Sequence, residues 1–367
     1  MRFPTIIATF LCCVQIPAVQ SQKTTKTENV FIITLDGLRW QELFSGADDS
    51  LFNDTKYVKD TSTIKRKYWR PTAEERRSVL MPWVWNTLAK QGVILGNRNY
   101  NNNVNVTNLM WFSYPGYNEI LVGYSDPNIN SNDKINNPNI TILEWLQQRE
   151  GFGIKAAAFG SWDVIPYIIN EERSQIVVNA GFEEANHFMM NEKEMLLNEL
   201  QSQIPSPWHN VRHDGFTHHY AKEFIKTYYP NVVFISYGET DDFAHDSRYD
   251  HYLNSANNTD RLIKDLWEYC QTDSFYKYKT SFIITTDHGR GDKPKKEWTS
   301  HGKGVVGSNA IWMAAIGPDT PALGEVKSKG QHWQNQVATT VAKWMGFEYT
   351  SSEEVGKAID LFYNKNK

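Results

Sequence analysis

Asp36, Asp241, His245, Asp287, His288 and His301 are of the types that bind transition-metal cations, and they occur in short clusters along the chain. Asp241 and His245 stand four residues apart, so in one helical turn both can face a single cation. Asp287 and His288 are adjacent, and Gly289 after them lets the backbone turn closely past a ligand. These carboxylates and imidazoles suffice for two neighbouring divalent ions; the mixed Asp and His set suits zinc, with manganese or iron as competitors. Two such cations a few ångströms apart suit phosphoryl transfer, because one lowers the pKa of a hydroxyl nucleophile and the other stabilises the leaving oxygen. The candidate hydroxyl is Ser113, in Phe112–Ser113–Tyr114–Pro115–Gly116. The helix-like run Tyr117–Val122 follows it, so Ser113 stands at a helix N-terminus, where backbone N–H groups favour anions. Thr107, in a polar loop nearby, is the rival nucleophile.

Three apolar, β-branched runs deliver these residues. Val30–Leu35 ends at Asp36, Asn231–Tyr237 ends just before Gly238 and Asp241, and Ser281–Thr286 ends at Asp287. Each reads as a buried parallel strand carrying an acid at its carboxyl end, and in an open α/β sheet ligands bind along that edge. Candidate helices alternate with the strands at Pro82–Gln91, Ile142–Arg149, Glu192–Gln203, His219–Tyr228, Asn254–Cys270 and Asn335–Trp344. The Asn-rich stretches Gly96–Asn108 and Asp126–Asn139 read as surface loops of the kind that border a site. His213, His218 and His219 precede a helix away from any strand end and read as surface histidines, while Asp242 and Asp246 read as supports for the ligand candidates. His332 is the rival to His301 for the last ligand position. Trp162, Asp163, Arg290 and Lys303 are placed to reach the strand-end face and bind the non-reacting part of a substrate.

With 367 residues, 40% of them apolar, the chain can bury a large core, and one large domain is the leading reading. Its net charge of −4 supplies no global field that would recruit nucleic acid or an anionic membrane. The basic stretch Lys65–Arg77 reads as a solvated helix start or crossover loop. Residues 1–22 have the layout of a secretory signal peptide, with Arg2 before the apolar run Ile6–Val19, which is too short to span a bilayer comfortably. Removing them takes away Cys12 and Cys13 and leaves Cys270, a small buried residue of a helix that has no disulfide partner. The expectation is an exported protein with residues 23–367 as one catalytic domain bearing loop insertions, and with no membrane span in the mature chain.

The order Asp36, Ser113, Asp241 with His245, Asp287 with His288, then His301 resembles the alkaline phosphatase superfamily, which includes nucleotide pyrophosphatase/phosphodiesterases, cofactor-independent phosphoglycerate mutases and sulfatases. The resemblance covers nearly all of the chain after the leader. It implies a three-layer α/β/α sandwich around a mostly parallel sheet and two bound divalent cations. Asp36, Ser113, Asp287 and His288 would hold the first ion, and Asp241, His245 and His301 the second. It further implies a phosphomonoesterase or phosphodiesterase acting on a small phosphate ester through a covalent phosphoserine at Ser113.

Departures from the pattern are informative. Phosphodiesterases usually place Asn after the Pro that follows the nucleophile, to hold a phosphate oxygen; this chain has Gly116, so Asn108 and Asn118 become the candidates. Tyr117 stands where a sulfatase motif requires Arg, which speaks against sulfatase activity, and export speaks against a glycolytic mutase. The alternatives carried forward are a sulfatase-like hydrolase, a phosphoryl transferase, and a non-catalytic relative acting as a binding module.

Overall fold

The computed structural model describes residues 25–149, 153 and 155–363. The leader read at residues 1–22, with Cys12 and Cys13, lies outside them. Among the described residues eleven strands carry the sheets: β1 (Asn29–Leu35), β2 (Val93–Leu95), β3 (Asn102–Asn105), β4 (Ala156–Gly160), β5 (Val177–Ala180) and β6 (Val232–Tyr237). After these come β7 (Thr280–Thr285), β8 (Ala310–Ile311), β9 (Met313–Ile316), β10 (Gly324–Glu325) and β11 (Gly330–Trp333). Eight form one sheet in the order β10-β2-β9-β7-β1-β6-β4-β5, in which β9 alone among these described strands runs against its neighbours. A small sheet, β11-β3-β8, sits beside it.

The central strands β1, β6 and β7 are buried at every position and mostly apolar, because both faces of the sheet are covered. Phe31, Ile33 and Leu35 point into one core, built with the helices Asp214–Tyr228 and Tyr249–Thr272. Val30 and Ile32, one residue out of phase, point into the other, built with Ser113–Val122, Ile142–Gln147 and Val337–Trp344. Strand periodicity thus yields the expected three-layer α/β/α sandwich with a mostly parallel central sheet. Among the described residues no helix is long and apolar enough to cross a membrane. Cys270 is buried in the helix Tyr249–Thr272.

Several boundaries moved. Glu192–Gln203 begins where the sequence indicates, fixed by a capping box between Asn191 and Glu194. The helix expected at Asn254–Cys270 starts at Tyr249, since Tyr249, Tyr252 and Leu253 continue its buried stripe. Lys65–Arg77 divides around Pro71 into the helices Thr61–Tyr68 and Ala73–Leu80. Its Arg77 is spent on Glu325, 2.9 Å away. The surface-loop reading of Gly96–Asn108 needs correction: it holds β3, and Asn97, Asn102, Asn105 and Asn108 are buried. Their amides replace missing backbone partners; Asn102 Oδ1 accepts from the Gly96 N–H at 2.8 Å, and its Nδ2 donates to the Ser328 carbonyl at 3.0 Å. Composition alone cannot separate such an amide from a solvated one.

The chain leading to Ser113 is anchored by Glu119, buried on the helix it precedes. Its carboxylate accepts from the N–H groups of Thr107 and Asn108 at 2.8 Å each and from Asn108 Nδ2 at 2.9 Å. Burial raises the carboxyl's pKa, and these donors oppose the rise. Glu119→Ala leaves buried donors without partners and should destabilise the fold by about 2–4 kcal/mol. Urea unfolding measures it; a loss below about 1 kcal/mol would mean that the loop finds other acceptors.

Candidate metal centre

Three adjacent strands, β7, β1 and β6, end together, and the acids that follow them meet there. The register pairs Thr34 with Thr285, so continuing it two residues sets Asp36 level with Asp287, about one strand spacing or 4.8 Å apart. Asp36, Asp287 and His288 can all offer ligand atoms within 4.8 Å of one another, as can Asp241, His288 and His301. Five of the seven residues marked in the sequence as metal-ligand candidates, Asp36, Asp241, Asp287, His288 and His301, thus fall into two groups that share His288.

The first group is built to face a cation. His288 Nδ1 lies 2.8 Å from the Gly289 carbonyl, which assigns the proton to that nitrogen and turns the Nε2 lone pair inward. Nε2 stands 3.3 Å from Asp36 Oδ1 and 3.3 Å from Asp287 Oδ2. Both of those oxygens are buried without a hydrogen-bond partner. Their companions are held: Asp36 Oδ2 accepts from the Tyr117 hydroxyl at 2.8 Å, and Asp287 Oδ1 from the Gly37 N–H at 3.1 Å. Two orphan carboxylate oxygens and an inward imidazole lone pair fit a divalent ion.

Electrostatics lead to the same place. Burial, then the charge of Asp36, pushes the Asp287 carboxyl well above the usual range. Burial lowers His288, but Asp287, Asp36 and Asp241 together outweigh it and raise the imidazole to about 9. Protons on these groups do the neutralising that a bound cation would do.

The second group centres on Asp241, in the short helix Glu239–His245 that opens just after β6. His245 Nε2 is 3.0 Å from Asp241 Oδ2, His301 Nε2 is 3.6 Å from Asp241 Oδ1, and the two imidazole nitrogens are 3.0 Å apart. Burial would raise the Asp241 carboxyl, but Arg290, His245 and His301 overcome it and hold it well below its ordinary value. Burial, then the charge of His288, keeps His301 neutral, the form that binds metals. His332, the rival for this position, lies on β11 in the small sheet.

Ser113 is the first residue of the helix Ser113–Val122, and its Oγ lies 3.3 Å from His288 Nε2. Gly116 lets that helix close on the site: a Cβ there would meet the Asp287 carbonyl oxygen at 2.3 Å. This explains the missing Asn, for which there is no room. Gly37, with φ +59, likewise lets β1 turn past Asp241 and Arg290. Thr107 does not line the cavity that holds Ser113.

Three substrate-binding candidates need correction. Asn118 is buried, and its Oδ1 accepts from Asn137 and Asn139. The Asn108 side chain is occupied by Glu119, Met110 and Trp111. Arg290 is buried and ion-paired to Asp241, and it also donates to the carbonyls of Trp298 and Thr299. All three shape the site rather than face a substrate. Of the three histidines read as surface ones, His219 is exposed and His213 half-buried, but His218 is buried and needs correction. His213 pairs with Glu239 at 2.9 Å, and His218 is buried between Tyr237 and Asp265. Tyr117 and Gln334 escaped notice as supports. Gln334 Nε2 donates to the Asp287 carbonyl at 2.6 Å, a contact without a sequence signature. Asp214, buried, accepts from the Gly238 N–H at 2.8 Å and ties down the start of Glu239–His245.

Asp36, Ser113, Asp241, His245 and His301 open onto a cavity of about 450 Å³, walled also by Asn132, Lys134, Trp162, Asp163 and Asp242. Burial, then Asp241 and Asp36, raises the Asp242 carboxyl to about 9. The Asn-rich loop around Asn132 borders this cavity, as the sequence suggested; Lys303 is exposed outside it.

Residues 172–343 match the family described as the Metalloenzyme superfamily. No curated protein sequence matches the chain. Solved structures share its fold. Wild-type alkaline phosphatase PafA is 11% identical with a TM-score of 0.60, over 94% of this chain and 100% of that one. The lipoteichoic acid synthase LtaP from Listeria monocytogenes is 10% identical with a TM-score of 0.57, over 96% of this chain and 79% of that one. A putative sulfatase from Bacteroides thetaiotaomicron is 11% identical with a TM-score of 0.57, over 93% and 76%.

The raised values of Asp287 and His288 carry a pH signature. Both groups hold protons in the folded chain that they release on unfolding, so the cation-free protein loses stability as pH rises: above about 4 for Asp287, and from about 6.5 to 9 for His288. Thermal melts of chelated protein should therefore fall between pH 6.5 and 9, and saturating zinc or manganese should flatten the slope. A pH-independent melt of the chelated form would contradict the electrostatic reading.

Proposed function

We propose that this chain is a metal-dependent hydrolase of the alkaline phosphatase superfamily and that it hydrolyses phosphate esters with Ser113 as the nucleophile. The observation that carries the reading is Ser113 Oγ, 3.3 Å from His288 Nε2 and beside two orphan carboxylate oxygens. Asp36, Ser113, Asp287 and His288 would hold one divalent cation, and Asp241, His245 and His301 the other, with zinc favoured by the donor set and manganese next. When bound, such a pair supplies charge neutralisation for the phosphoryl oxygens and for the attacking and leaving oxygens.

The chain's own residues do the positioning. Ser113 sits at the first turn of a ten-residue helix, whose N–H groups favour an anion. Tyr117 fixes the Asp36 carboxylate, the Gly289 carbonyl fixes the His288 tautomer, and Arg290 fixes Asp241. The Ser113 Oγ–P bond forms as the ester P–O bond breaks and the alcohol leaves; water then splits the phosphoserine and returns the hydroxyl. The substrate is a small phosphate ester, met outside the cell if residues 1–22 act as an export leader.

Sulfate-ester cleavage is the second reading, favoured by the likeness to a putative sulfatase. Aryl phosphate monoesters, phosphate diesters and aryl sulfates assayed in parallel with added zinc or manganese separate the two. Phosphate monoester or diester turnover is expected to lead, and Ser113→Ala to lower it by at least about 10³-fold. Full turnover by the variant would reject Ser113 and bring Thr107 forward; sulfate turnover alone would reject the phosphate reading.

A further inference from the structure

The cavity that begins at Asp36 and Ser113 continues along the strand edge to the segment after β4, where Trp162 and Asp163 line it. The sheet order runs β1-β6-β4. Two strand spacings therefore separate this wall from Asp36, about 10 Å, a span that a phosphoryl group and one attached ring would fill. Trp162 is braced by a β-bridge to Val211 and by Tyr117, whose ring centroid is 6.5 Å away. Lys134 arrives from the Asn-rich loop, its Nζ 2.7 Å from Asp163 Oδ2. The other Asp163 oxygen, Oδ1, is buried without a hydrogen-bond partner, which leaves Oδ2 as the oxygen a ligand can reach.

Charge selects the occupant. Among the described residues that line the cavity, Lys134 is the one Lys or Arg, and Asp163 already neutralises it. Asp133 adds a further carboxylate beside it. A second phosphate or a carboxylate on the leaving group would meet these acids with no unpaired Lys or Arg among the lining residues to balance it. An uncharged ring has complementary partners instead: its C–H face can lie on the Trp162 indole, and its hydroxyls can bond to the Lys134 ammonium and the Asp163 carboxylate. We propose that Trp162 with the Lys134–Asp163 pair is the leaving-group subsite, taking an uncharged, hydroxyl-bearing ring and turning polyanions away. The proposal rests on the ester-hydrolase reading only for the phosphoryl end.

Metal-loaded wild type, Trp162→Ala, Trp162→Phe and Asp163→Asn, assayed with glucose 6-phosphate, methyl phosphate, a nucleoside 5′-monophosphate and fructose 1,6-bisphosphate, test it. In wild type, glucose 6-phosphate should lead in kcat/KM, and fructose 1,6-bisphosphate should trail it by about tenfold or more. Trp162→Ala should lower the glucose 6-phosphate to methyl phosphate ratio about tenfold, mostly through KM, and Trp162→Phe should restore most of it. Asp163→Asn should narrow the penalty on the bisphosphate. A ratio that ignores Trp162→Ala, or a lead for the nucleotide or the bisphosphate, overturns the subsite. Should sulfate esters turn over instead, the same ratios are read on glucose 6-sulfate against methyl sulfate. Should nothing turn over, the phosphate reading fails by itself. The subsite then stands or falls on whether glucose 6-phosphate quenches tryptophan fluorescence in wild type and not in Trp162→Ala.

Discussion

Negative charge concentrated at the ends of three neighbouring strands is the constraint on which the rest of this structure depends. Asp36, Asp287 and Asp241 converge where burial strips away water, and in that setting like charges repel strongly unless something positive stands between them. The protein distributes the task. Arg290 takes Asp241, His288 sits between Asp36 and Asp287, and two oxygens remain turned inward without a partner. That leftover demand is what suits the site to a cation rather than to a salt-bridge network.

Close approach follows from the same constraint. Charges interact usefully only over a few ångströms, so backbone segments that deliver them must nearly touch. Gly116 and Gly37 stand where any Cβ would collide with Asp287 or with Asp241 and Arg290. A surrounding set of hydrogen bonds then removes the remaining freedom: Tyr117 to Asp36, Gln334 to the Asp287 carbonyl, and Asp214 to the start of the Asp241 helix. Site and core are continuous here, because Tyr117 and its helix belong to one of the two apolar layers. Loosening the layer would loosen the ligand geometry.

Away from these acids and imidazoles the cavity changes character. Its floor is fixed by strand ends, whereas its far wall comes from loops and from the segment following β4, with an indole, an amide and an internally neutralised ion pair. A fold shared at 10–11% identity with a phosphatase, a synthase and a putative sulfatase fixes the floor's architecture and leaves the wall free to differ.

The sequence by itself determined the sheet and the identity of the clustered acids and imidazoles. A doubly covered strand is mostly apolar, and an acid just after such a run falls at the carboxyl edge, so Asp36 and Asp287 were legible from their neighbours alone. Asp241 and His245 were legible because one helical turn sets their separation. What only the tertiary structure decided is how polar side chains far apart in the chain are spent. Asn108, Asn118 and Arg290 looked free and are turned inward, and the asparagines near β3 looked solvated and are buried. His213 and His218 looked peripheral and are paired within the fold. Period and spacing are local properties that the backbone enforces, whereas a hydrogen bond between Gln334 and Asp287 or Tyr117 and Asp36 depends on which segments the packed layers bring together.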